Sequence, residues 1–143
     1  MPGKTVLTCG CFDILHIGHV RYLKAAKRLG DYLVVAVNSD ESFANYKHRK
    51  PFTPELERLE IVASLECVDD AFLFDDPDAS TEITKIRPDV FVKGFDWKYK
   101  EFTERYAIES VGGKMVFITT TPNRSTTLLV EKIRRNQCQH GNM

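Results

Sequence analysis

Five short runs of nearly unbroken apolar character divide the chain: Thr5–Cys9, Leu33–Val37, Ala71–Phe74, Val90–Val92 and Met115–Ile118. Strands that lack polar alternation are those covered on both faces. Between these runs apolar residues recur at helical spacing, at Val20, Leu23 and Ala26, at Leu56, Leu59, Val62, Ala63 and Leu65, and at Ile83 and Ile86. Alternating strand and helix patterns predict an α/β fold, a doubly wound parallel sheet of about five strands built by a single domain over residues 1–143.

Punctuation refines the boundaries. Gly30 follows the first helical pattern where a left-handed C′ glycine belongs, and Pro54 with Glu55 and Glu57 marks a helix start. Pro88 ends the segment closing at Ile86-Arg87, Gly112-Gly113 precedes the last strand, and Ser125-Thr126-Thr127 opens a final helix. The basic stretch Lys47-His48-Arg49-Lys50 reads as a loop after the second strand, and the polar tail from about residue 136 as a fraying end. Trp97, Tyr99, Phe102 and Tyr106 crowd one region and suit a core or a subunit contact.

Composition narrows the function classes. The sequence is 43% hydrophobic and 28% charged, with no apolar run of about 18 residues, so neither disorder nor a membrane span is expected. Twenty Lys and Arg balance 20 Asp and Glu, and the one basic stretch has only Tyr46 and Phe52 as aromatic neighbours, which argues against nucleic acid as a partner. An anion must then be caught by a local constellation. The start lacks a signal-peptide pattern, so a cytoplasmic protein is expected, and Cys9, Cys11, Cys67 and Cys138 read as free structural thiols. No histidine or cysteine spacing marks a metal site; His48 and His140 stand apart from the other two histidines.

Chemistry concentrates where the first strand turns into the first helix, through Gly10-Cys11-Phe12-Asp13-Ile14-Leu15-His16-Ile17-Gly18-His19. Ligands of open parallel sheets gather at the carboxyl ends of the strands, and the first such turn is the usual phosphate cradle. Gly10 and Gly18 permit close backbone approach, while a helix N-terminus offers amides and partial positive charge. His16 and His19, three apart on the first helical turn, both reach one phosphate chain, and bound phosphate would raise their pKa values.

This decamer resembles the nucleotidyltransferase superfamily marked by His-x-Gly-His, and its extended form resembles the cytidylyltransferase-like branch, which has a Rossmann-like fold. Gly30–Asp40, Arg87–Gly94 and Ser125–Thr127 are similar to further family blocks in the same order. Val37-Asn38-Ser39-Asp40, Pro51-x-x-Pro54 with Glu57-Arg58, and Val92-Lys93-Gly94 look like the adenylyltransferase domain of ADP-heptose synthases. Asp96-Trp97 looks more like glycerol-3-phosphate cytidylyltransferases, whose arginine is replaced here at Thr120-Thr121. FAD synthetases and a binding module without turnover are further alternatives.

The resemblance implies attack by the phosphate of a sugar or polyol phosphate on the α-phosphorus of ATP or CTP, with Mg2+ accompanying the triphosphate. It implies a homodimer, and a heptose acceptor phosphorylated by another protein. His16, His19, Lys47 and Arg49 are the expected catalytic residues. Gly10, Cys11, Phe12, Asp13, Gly18, Lys93, Gly94, Asp96, Ser125, Thr126 and Thr127 are expected around the nucleotide together with the histidines, the helix amides near Gly18 among the donors. Asp40, Lys47 and Arg58 are expected at the acceptor, although Asp40 also suits a helix cap and Arg58 a surface ion pair.

Overall fold

A computed structural model describes residues 3–119, 122 and 124–140; Thr120 and Thr121, and the side chains of Cys138 and His140, lie outside the described residues. The chain runs β1 (Thr5–Gly10), α1 (Ile17–Lys27), β2 (Tyr32–Asn38), α2 (Asp40–Lys47), α3 (Glu55–Ala63), β3 (Asp70–Phe74), α4 (Ser80–Ile86), β4 (Val90–Gly94), a 3-10 turn (Phe95–Trp97), α5 (Thr103–Ser110), β5 (Lys114–Ile118) and α6 (Thr126–His140). All strands are parallel, in the order β3-β2-β1-β4-β5. The order reverses beside β1, so the connections leave β1 and β4 in opposite directions and open a crevice at their carboxyl ends. Among the described residues no helix is long and apolar enough to cross a membrane.

The period-2 pleat of β1 divides the core. Val6 joins one layer with Leu23 and Ala26 of α1 and Val62 of α3, while Leu7 joins the other with Ala79 and Ile83 beside and within α4 and Ile108 of α5. Thr8, fully buried on β1, donates to the Val92 carbonyl at 2.9 Å and shares a 2.8 Å hydrogen bond with the Tyr22 hydroxyl, tying α1 across β1 to β4. Cys9, Cys11 and Cys67 are free thiols.

Four expectations change. Gly30 is not a left-handed cap; a Cβ there would lie 2.7 Å from Val6 Cγ2 and 2.8 Å from the Lys4 carbonyl, so a close crossing of chains requires the glycine. The basic stretch is a loop from His48 to Lys50, but a helix separates it from β2: Ser39 caps α2 by accepting from the Ser42 amide, and α2 ends at left-handed His48. The final helix continues to His140, through the start of the segment read as a tail. The aromatic group also divides, with Trp97 and Phe102 meeting edge to face at 5.6 Å while Tyr99 and Tyr106 are exposed.

Candidate active site

Between β1 and α1 the backbone takes two left-handed steps at non-glycine residues, Phe12 (φ 51°) and Ile14 (φ 52°). Such positions are strained and persist only when their surroundings hold them. Three elements do so here. Arg58 of α3 donates to the Cys11 carbonyl at 2.6 Å, Thr126 of α6 donates to the Asp13 carbonyl at 2.7 Å, and the buried Asp13 carboxylate accepts the Phe52 and Thr53 amides at 3.0 Å each. Gly10 leaves room for the Phe12 ring, whose Cε2 a Cβ would approach to 2.8 Å. Phe12 in turn lies 5.5 Å from the His19 ring, centre to centre.

His16 and His19 cap α1 reciprocally. Nδ1 of His16 accepts the Gly18 amide at 3.0 Å, and Nδ1 of His19 accepts the His16 amide at 3.1 Å. The two ring centres lie 3.9 Å apart with their planes tilted by 32°. An N–H aimed at Nδ1 requires a lone pair there, so each neutral imidazole carries its proton on Nε2 and keeps that donor for a ligand. Gly18 makes this possible, because a Cβ would come within 2.7 Å of His16 Cε1. The Gly18 amide therefore serves the His16 ring, and the helix end reaches a ligand through the imidazoles instead of through that amide.

The protein's own groups lower both pKa values, opposite in sign to the effect expected from bound phosphate. Burial, the neighbouring imidazole cation and, in opposition, the Asp13 carboxylate bring His19 down to about 4. Burial and Arg124 lower His16 as well. Two neutral donors stand ready at neutral pH.

The imidazoles line a cavity of about 600 Å³ at the carboxyl edge of the sheet, a size suited to a small-molecule substrate. It brings together Gly10, Cys11, Phe12, Asp13, His16, Gly18, His19, Lys47, Arg49, Lys93, Gly94, Ser125, Thr126 and Thr127. Ser125 Oγ accepts the Leu128 amide in capping α6, and Thr127 is exposed to the cavity. Arg49 lies 4.7 and 5.0 Å above the Phe52 and Phe43 rings and 3.4 Å from the Asp13 carboxylate.

Three expected residues do not line it. Arg58 is completely buried, donating to the Thr53, Cys11 and Asn38 carbonyls and to Asp40 Oδ1 at 2.9 Å. It ties the ends of β1 and β2 to α3 in place of meeting an acceptor. Asp40 is its partner, and Asp96 is exposed on the 3-10 turn. Asp78, Thr103, Glu104 and Arg124 line the cavity and were not anticipated. Asp78 follows β3 and Thr103-Glu104 opens α5, so the rule that ligands meet the carboxyl edge, applied to every strand, would have reached the first of them.

The sequence model of the family described as cytidylyltransferase-like matches residues 7–132. The chain belongs to that family. Among its relatives, "Bifunctional protein HldE" of Syntrophotalea carbinolica is 44% identical over 133 residues, covering 92% of this chain and 27% of the relative. The protein of the same name from Citrifermentans bemidjiense is 42% identical over 131 residues, covering 91% and 27%. This chain thus spans about a quarter of the length of these relatives. A solved structure described as a lipopolysaccharide core biosynthesis protein from Thermoplasma volcanium superposes with a TM-score of 0.71 at 35% identity, covering 83% of this chain and 98% of that one. Pantothenate synthetase from Thermus thermophilus, at 17% identity and TM-score 0.56, covers 82% of this chain and 56% of that one and shares the fold.

Proposed function

We propose that this protein is a nucleotidyltransferase that moves a nucleoside monophosphate from ATP onto the phosphate of a sugar phosphate, a heptose 1-phosphate, with release of pyrophosphate. The observation that carries the reading is the adjacent imidazole pair, whose two Nδ1 atoms accept backbone amides and whose two Nε2–H groups remain for one phosphate chain. Family membership supports nucleotidyl transfer, and the relatives named HldE together with the lipopolysaccharide protein support the heptose acceptor.

The chemistry asks little of a general base, because a phosphate monoester is already ionised at pH 7. The nucleophile needs alignment, and the α-phosphoryl oxygens need stabilisation as charge redistributes. His16 and His19 donate from Nε2 to those oxygens. The start of α6, with Arg124, receives the leaving pyrophosphate, and Lys47 and Arg49 meet the phosphate of the acceptor. Magnesium supplies charge neutralisation on the triphosphate. Among the described residues no group of three carboxylates, histidines or cysteines gathers, and Asp13 already accepts two amides, so a magnesium ion would be held by the phosphate oxygens of the nucleotide.

Pyrophosphate release tests the reading in four pairings of ATP or CTP with heptose 1-phosphate or glycerol 3-phosphate. Turnover is expected for ATP with heptose 1-phosphate. Turnover confined to CTP with glycerol 3-phosphate would replace this reading with the polyol one, and nucleotide binding without turnover in any pairing would indicate a binding module.

A further inference from the structure

The cavity crosses the carboxyl edge of the sheet, and its two sides differ in chemistry. The imidazoles and the start of α6 stand toward the face covered by α1 and α3. Toward the face covered by α4 and α5 stands a second wall of Asp78, Lys93, Trp97, Thr103 and Glu104. Glu104 is only 3% exposed, with its carboxylate 3.3 Å from Lys93 Nζ and accepting from Cys9 Sγ at 3.7 Å. Lys93 Nζ sits 4.0 Å from the centre of the Trp97 ring. Asp78 accepts from Thr103 Oγ1 at 2.7 Å and from the Ser80 amide at 2.8 Å.

Among the side chains that line the cavity on this wall, two carboxylates stand against one ammonium, a balance that does not favour a phosphate group. The same groups suit a neutral polyol: carboxylates accept from hydroxyls, and the ammonium, held over the indole ring, donates. Attacking and leaving oxygens lie in line on opposite sides of the reacting phosphorus. With pyrophosphate leaving toward α6, the acceptor approaches from the side of α4 and α5. We infer that Asp78, Lys93 and Glu104 form the subsite that reads the hydroxyls of the acceptor sugar, with Trp97 holding the Lys93 ammonium in place. Lys93 then serves the acceptor and not the nucleotide. This rests on the sugar phosphate reading above.

Titration calorimetry on the intact chain tests it with three probes: heptose 1-phosphate, inorganic phosphate and ATP with magnesium. Glu104→Gln and Asp78→Asn each weaken the sugar phosphate by about ten-fold or more, the effect of losing one charged hydrogen bond, and leave ATP and inorganic phosphate within about two-fold. Retained ATP affinity also shows that each variant is folded. Unchanged sugar phosphate affinity in both variants, an equal loss for ATP or inorganic phosphate, or a wild type that binds no sugar phosphate overturns the subsite. The reaction reading fails separately, when the wild type binds sugar phosphate but releases no pyrophosphate.

Discussion

Replacing Arg58 with alanine separates a structural role from an acceptor-binding one. The side chain is fully buried, and its removal strands the Cys11, Asn38 and Thr53 carbonyls, while Asp40, 43% exposed, is free to rehydrate. Each buried orphan costs about 1–3 kcal/mol. These contributions overlap, so a loss of about 4 kcal/mol is expected. For a domain near this size that lowers Tm by roughly 10–15 °C. Scanning calorimetry of wild type and Arg58→Ala, beside steady-state kinetics at a temperature where both are folded, reads the two roles apart. Arg58→Lys recovers less than half of the loss, because one ammonium does not reproduce a planar fork spread over four acceptors. An Arg58→Ala protein whose Tm falls by less than about 3 °C while its acceptor KM rises would refute the argument.

Gly18→Ala places a methyl 2.7 Å from His16 Cε1, turns that ring off its cap and lowers kcat by about 10²-fold, the usual effect of losing one preorganised donor; activity within two-fold of wild type contradicts the capping account. His19→Asn keeps an acceptor for the His16 amide and removes the titrating ring. Because folding holds the His19 pKa at about 4, below its ordinary 6.5, the unfolded chain binds more protons between those values. The His19 contribution is therefore complete above pH 6.5 and declines as pH falls toward 4, by up to about 3 kcal/mol. Glu82, pushed up to about 7 by burial beside Asp76, acts with the opposite sign, so urea midpoints of wild type and His19→Asn are compared at each pH; parallel curves would show that His19 is not held neutral. Asp13→Asn puts an amide group against the Phe52 or Thr53 N–H, and hydrogen exchange by NMR should quicken first at those two amides.

The strands were legible because both faces of a central parallel sheet are covered, so β1, β2 and β4 carry continuous apolar runs. The helix α2 was not: in Asp40–Lys47 the buried positions are Ser42 and Phe43, too few to print a helical period, and its start depends on the Ser39 cap. Gly30 looked like a helix stop, yet steric closeness to Val6 and Lys4 comes from a sheet contact that no local pattern records. The His-x-Gly-His segment was legible because its reciprocal caps are local to one helical turn. Arg58 and Glu104 behaved differently. Both are charged residues in the first turns of amphipathic helices, where exposure is the usual state, and both are held by partners up to 95 positions away that only the tertiary fold supplies.

In the proposed reaction two neutral imidazoles, protonated at Nε2 and locked at Nδ1 by the backbone, face a nucleotide's phosphates. Long-range 1H–15N NMR of the histidine side chains reads both ring nitrogens directly, without ligand and with ATP and magnesium. At pH 7 we expect unprotonated Nδ1 and protonated Nε2 in His16 and His19, with both Nε2 signals shifting when the nucleotide is added. A proton on Nδ1 of either ring in the free protein, or two rings indifferent to the nucleotide, would contradict the account.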